Sequence, residues 1–211
     1  MRLPLVVAVA MVCSIGAGCA SHGYAPLEAN VESMKSVREA LEEANAQTDR
    51  VLASLNKVVA WADRDPLPAF DEFEDDLGNL EDLAEEASVR AQAMKDASEA
   101  YFRTWQAENS EMKTEGLHDL SAERMNTARE SWRNVQDQAT AMSDSFQEFL
   151  DRLREIKGYL SSNMSPSGIE AARPYIGRAE MSGRTLKERI ADLTAAIDRS
   201  TAKVAPAGAA G

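Results

Sequence analysis

Apolar residues return alternately after three and four positions along almost the whole of this chain. The first block runs Leu27, Val31, Met34, Val37, Leu41, Ala44, Thr48, Val51, Leu55, Val58 and Ala62. The second is Phe70, Phe73, Leu77, Leu80, Ala84, Ala87, Ala91, Met94, Ser98, Tyr101 and Trp105. The third is Met125, Ala128, Trp132, Val135, Ala139, Met142, Phe146, Phe149, Leu153, Ile156 and Leu160, and the fourth Ile169, Ala172, Ile176, Ala179, Gly183, Leu186, Ile190, Leu193 and Ile197. A mean step of about 3.5 residues is foreign to a strand, whose side chains alternate by two, and lays one seam along helices that supercoil left-handed around each other. The predicted fold is all-α. Two steps of three in a row, at Val31, Met34 and Val37, overwind the supercoil locally.

Pro66 and Pro68, then Gly116, then Asn163 to Gly168 with Pro166 punctuate the blocks and place helices at about 27–63, 69–112, 119–162 and 168–202. Short connections force neighbours to run antiparallel, which gives a long antiparallel up-and-down helical bundle with coiled-coil packing. Ser167 and Glu170 have the spacing of a capping box for the last helix. Pro174 then lies where it removes a helical hydrogen bond, so that helix either starts late, near Arg173, or bends. Residues 203–211, mostly Ala, Gly and Pro, show no pattern and are expected to be a disordered tail.

Ahead of the bundle stand Arg2, an apolar run from Leu3 to Ile15 and small residues at Gly16, Ala17 and Gly18, followed by Cys19. This is the layout of a secretory signal, and the run is too short to span a bilayer. It resembles a lipoprotein signal, in which two small residues and a Cys direct lipidation and cleavage before that Cys. Residues 1–18 then form the signal peptide, Cys19 is the lipidation site and residues 19–26 are a tether. The branched residue that normally opens the motif is replaced by Gly16, with Ile15 one place early. The rival is an ordinary signal peptide cut after Ala20, leaving a soluble periplasmic protein. Cys13 lies within the leader and Cys19 is the only other cysteine, so no disulfide within the mature chain is available and the fold rests on its core. Lys and Arg number 23 against 35 Asp and Glu, a net charge of −12, or −13 once Arg2 is removed. Such a surface repels nucleic acid and anionic headgroups, so the expected link to a membrane is the lipid itself.

Val89, Arg90, Met94, Tyr101, Phe102, Trp105 and Glu108, continued through Phe149, Leu150, Leu153, Ile156, Leu160 and Asn163, resemble the middle helices of a bacterial predicted-lipoprotein family known as domain of unknown function twenty-nine fifty-nine. The likeness runs from Tyr24 to Leu193, and implies an anchored helical bundle without an assigned activity.

The residues offer little chemistry. Glu115, Gly116, Leu117 and His118 spell one Glu-x-x-His beside a helix break, where di-iron bundles need two copies and further glutamates inside helices. His22, in the tether, is the other histidine. No activated nucleophile and no glycine-rich phosphate loop is present, so neither an enzyme, a metal nor a cofactor is expected. Asp71, Glu72, Glu74, Asp75 and Asp76 open an acidic run reaching Glu86. Acids at a helix start solvate it and suit its dipole; the other reading is a surface for a basic partner. Tyr101, Phe102, Trp105 and Trp132 flank the Gly116 turn and suit an aromatic core layer, while Trp61 lies off the seam.

The expectation is a membrane-anchored periplasmic structural or adaptor lipoprotein, at the periplasmic face of the outer membrane, presenting its bundle to an envelope protein. The alternative is a carrier or sensor that holds a small hydrophobic ligand or a cation within the bundle, where Ala84, Ala87 and Ala91 leave space.

Overall fold

The structure, a computed structural model, describes residues 24–204. The leader, Cys19, the tether as far as residue 23 and the tail from residue 205 lie outside the described residues. The described residues form four helices: α1 (Tyr24–Ala60), α2 (Leu67–Glu111), α3 (Glu115–Leu160) and α4 (Pro166–Val204). The all-α bundle anticipated from the seam is the fold.

The ends of the helices differ from the seam-based limits for local reasons. α1 takes in Tyr24, Ala25 and Pro26 from the tether, because a proline in the first turn has no N–H to leave unpaired. α3 starts four residues early and carries Gly116 in its first turn, where no neighbour lies within 4 Å, so the connection shrinks to Met112–Thr114. α4 starts at Pro166 and is capped by Ser165 rather than Ser167: the Ser165 hydroxyl accepts the Gly168 N–H at 3.1 Å, with proline in the position that needs no donor. The helix continues through Pro174 to Val204. Pro174 and Glu170 both face solvent, so water can take the Glu170 carbonyl that the proline leaves free.

Each helix runs antiparallel to the next, and α4 returns alongside α1 to close a four-membered ring. Approach is closest for α1 with α2 and for α3 with α4, intermediate for α1 with α4, and least for α2 with α3. Ser98 faces Asn30, Thr201 faces Met34 and Lys187 faces Asp49, which fixes the register. The start of α1, the end of α4 and the α2–α3 turn therefore share one end, called here the base. Tyr24 is level with about Thr104, so the α2–α3 hairpin continues roughly 10 Å past the start of α1.

The seams form one core, with Phe73, Phe149, Leu55, Leu153, Leu186 and Ile197 among its fully buried side chains. α1 also buries Ala40, Gln47 and Ser54, since it packs against two close neighbours and needs a wider face. At Gly183 a Cβ would come within 2.9 Å of Leu52 Cδ1 and 3.2 Å of the Phe149 ring, so α4 leaves room there for side chains of α1 and α3 to meet.

Candidate functional site

The acidic run opens α2 at the end opposite the base, and its members divide by their partners. Glu72 accepts from Lys57 of α1 at 2.5 Å and Glu74 pairs with Lys157 of α3 at 3.2 Å. The Asp76 backbone carbonyl and carboxylate accept from Gln47 Nε2 at 2.7 and 3.3 Å. These three stitch α2 to its neighbours. Asp71 and Asp75 are exposed and join no ion pair among the described residues, whereas Glu72, though exposed, is paired.

Glu115 and His118 fall in the first turn of α3, and His118 Nδ1 lies 3.2 Å from Asp119. Among the described residues no group of three or more His, Cys, Asp or Glu is placed to hold a metal ion.

Near the base, Tyr101 packs against Phe102 and Trp105 with ring centroids 5.4 and 5.5 Å apart. Burial pushes the Tyr101 hydroxyl up to about 12. Trp105 Nε1 donates to Ser121 Oγ of α3 at 3.0 Å, and the Arg129 guanidinium sits 5.6 Å from the Phe102 ring while donating to Gln106 at 2.9 Å. Trp132 is buried in the same core. The aromatic layer fastens α2 to α3 beside their turn. Trp61 is 42% exposed at the other end of the molecule.

A groove that the seam does not announce lies between α3 and α4. Arg152, Glu155, Ile156 and Tyr159 of α3 face Ala171, Ala172, Tyr175 and Arg178 of α4 around a cavity of about 450 Å³. A second depression of about 230 Å³ shares Arg152 and Arg178 and reaches Met181. Ala171 and Ala172 are too small to fill the space between the helices. Tyr159, Tyr175 and Met181 remain exposed, the Arg178 guanidinium lies 4.8 Å over the Tyr175 ring, and Arg152 donates to Glu148 at 2.6 Å. One sequence signal does point here: Tyr159 and Tyr175 each immediately precede a seam residue, Leu160 and Ile176, on helices that must run antiparallel. Both side chains therefore lie on the same outer side of the α3–α4 pair, where they line the groove.

Residues 19–206 match the model of the family described as Protein of unknown function (DUF2959), a match that spans all four helices. The chain belongs to this family. A search of curated proteins and of solved structures finds no match. For this DUF2959 chain, family membership thus agrees with the likeness carried by Tyr101, Trp105, Phe149 and their neighbours and assigns no role to the groove or to the acidic run.

Proposed function

We propose that this DUF2959 chain is an exported lipoprotein, held to a membrane of the cell envelope by lipid on Cys19, whose bundle offers a side surface to a protein partner. The observation that carries this reading is the α3–α4 groove. Tyr, Arg and Met are the residue types enriched at protein interfaces, and rigid aromatic rings beside guanidinium groups are the usual anchors of binding energy. The groove holds Tyr159, Tyr175, Arg152 and Arg178 together with Met181 next to them. It lies toward the end away from the base, where a partner meets no obstruction from the bilayer.

Anchoring is supported by three points. The signal-like leader precedes Cys19, and the family match begins at that residue. None of the described helices is long and apolar enough to cross a membrane, so attachment calls for another device. Four residues between Cys19 and Tyr24 reach at most about 18 Å, which keeps the base close to the anchored residue.

Two measurements test the reading. Cys19→Ser is expected to abolish acylation and to move the protein from the membrane to the soluble fraction. A normally cleaved parent protein that was never acylated would instead favour the ordinary signal peptide. A photocrosslinking side chain placed at Tyr175 in intact cells is expected to trap one envelope protein, and the same side chain at Lys95 is not. Equal yields at both positions, or a product at Asp71 alone, would move the partner surface away from the groove.

A further inference from the structure

The ring is not closed equally on its four sides. α2 and α3 are pinned near the base by Trp105 with Ser121 and Gln106 with Arg129, and at the far end by Glu81 with Arg154 at 2.6 Å and Glu74 with Lys157 at 3.2 Å. Between these pins no hydrogen bond or ion pair joins the two helices among the described residues. The seam opens there. Ala84, Ala87 and Ala91 of α2 and Ala139, Met142 and Phe146 of α3 are only half-buried, whereas the seam positions on either side, from Leu80 to Met94 and from Val135 to Phe149, are buried. Behind them is a cavity of about 330 Å³ that reaches the core and is walled by all four helices, with Leu41 of α1 and Leu193 of α4 at its back. That volume is within the range of small-molecule sites, roughly 300 to 1,000 Å³.

We propose that this lateral slot is a binding site for an elongated apolar molecule with an uncharged polar head, chemically a neutral single-chain lipid. Its length follows from the helices: Ala84 to Met94 covers about 15 Å of axis. The wall is aliphatic and aromatic apart from Ser88, Ser143 and Gln147, which offer hydroxyl and amide groups and no charge. The neutral wall selects the head group. No residue of the wall carries a charge, and Glu85 and Glu86, next to Ala84 and Ala87 in the chain, face solvent, with Glu86 paired to Arg90. A carboxylate or phosphate monoester in the slot would give up its water with no cation in the wall to offset the loss. Met94 and Met142 give the wall side chains that adapt to an irregular chain. A second copy of the protein fits the slot less well, because six half-buried side chains fall short of the roughly 20 to 30 residues that each side of a stable interface uses.

The proposal does not depend on anchoring or on the α3–α4 groove, and its test is made on the full chain carrying Cys19→Ser. The probe is the uncharged dye N-phenylnaphthylamine, followed by its fluorescence on titration. One dye is expected to bind per chain, displaced by monolaurin and not by an equal concentration of ionised laurate. Ala87→Phe and Ala91→Leu, which fill the slot, are each expected to weaken dye binding about tenfold or more, with unchanged helical circular dichroism. If Ala87→Phe fails to fold, the smaller Ala91→Leu change decides. Tyr175→Ala, outside the slot, is expected to bind like the parent. Absence of dye binding, binding untouched by the folded alanine variants, or binding lost in Tyr175→Ala would overturn the site. Displacement by laurate as strong as by monolaurin would overturn the head-group assignment, and a dimer in sedimentation that excludes the dye would give the slot to a second copy.

Discussion

Ser98 of α2 donates its hydroxyl to the Asn30 side-chain carbonyl of α1 at 2.7 Å, with both residues completely buried. Asn30 Nδ2 has no partner among the described residues. Removing one member of such a pair strands the other, whereas removing both together exchanges a polar contact for apolar packing. Ser98→Ala is therefore expected to cost about 1 to 3 kcal/mol, and the double change Asn30→Leu with Ser98→Ala to recover most of that loss. Urea denaturation of the two singles and the double closes the cycle. Additive losses would mean that the pair is not coupled.

Two glycines are expected to respond in opposite directions to alanine. At Gly168 a Cβ would sit 2.2 Å from the Asn163 carbonyl oxygen, a backbone atom that cannot move aside cheaply. Gly168→Ala should destabilise by about 1 to 3 kcal/mol. At Gly158, within α3, nothing lies within 4 Å, so Gly158→Ala should stabilise by up to about 1 kcal/mol through helix propensity. Thermal melts of the two variants distinguish them by sign.

Alkali should loosen the base of the bundle. Burial lifts the Tyr101 hydroxyl from 10.0 to about 12, so the folded state holds this proton more tightly than the unfolded chain does. The stabilisation is present in full below the unfolded value and is lost as pH rises from 10.0 through about 12. Spectrophotometric titration should show a tyrosine ionising at about 12 in the parent that is missing in Tyr101→Phe. Tyr101→Phe should flatten the fall of stability across that interval, and an unchanged slope would assign it to other groups.

Orientation on the membrane is open to labelling. With Cys19 acylated and the base nearest the bilayer, a thiol introduced by Lys113→Cys should be shielded from a bulky impermeant reagent. One introduced by Asp63→Cys, in the connection at the far end, should react readily. Equal reactivity would show that the rod lies flat or stands away from its anchor.

The seam was legible because every helix faces the same axis. A residue such as Leu55 or Ile197 is buried through its place in the repeat, whatever its neighbours are. Helix ends were less legible, since they depend on single atoms: the Ser165 hydroxyl outcompeted the Ser167–Glu170 pattern because Pro166 suits the first helical position. The groove was only faintly legible, because Tyr159 and Tyr175 stand beside the seam and not in it, and line one groove only through the α3–α4 register. The core space was half legible. Ala84, Ala87 and Ala91 announced it on α2, but that α3 stands back opposite them depends on pins at Trp105 and Arg154, far along the chain.

Because α1 and α4 touch along their length while α2 and α3 meet mainly at their ends, the molecule is two tight hairpins sharing a spine. At the base, α2 and α3 are joined by only three residues, Met112–Thr114. The hairpins can therefore part only as a wedge, widest at the far end, where Arg154 with Glu81 and Lys157 with Glu74 act as the latch. All four latch side chains are partly solvent-accessible, so ionic strength screens the latch, as it screens the Lys187–Asp49 and Arg38–Asp198 pairs of the spine, while leaving the apolar contacts of the spine untouched. For the proposed slot, salt is therefore expected to act as a dial for access to the interior, changing the rate at which a guest exchanges and leaving the helices themselves in place.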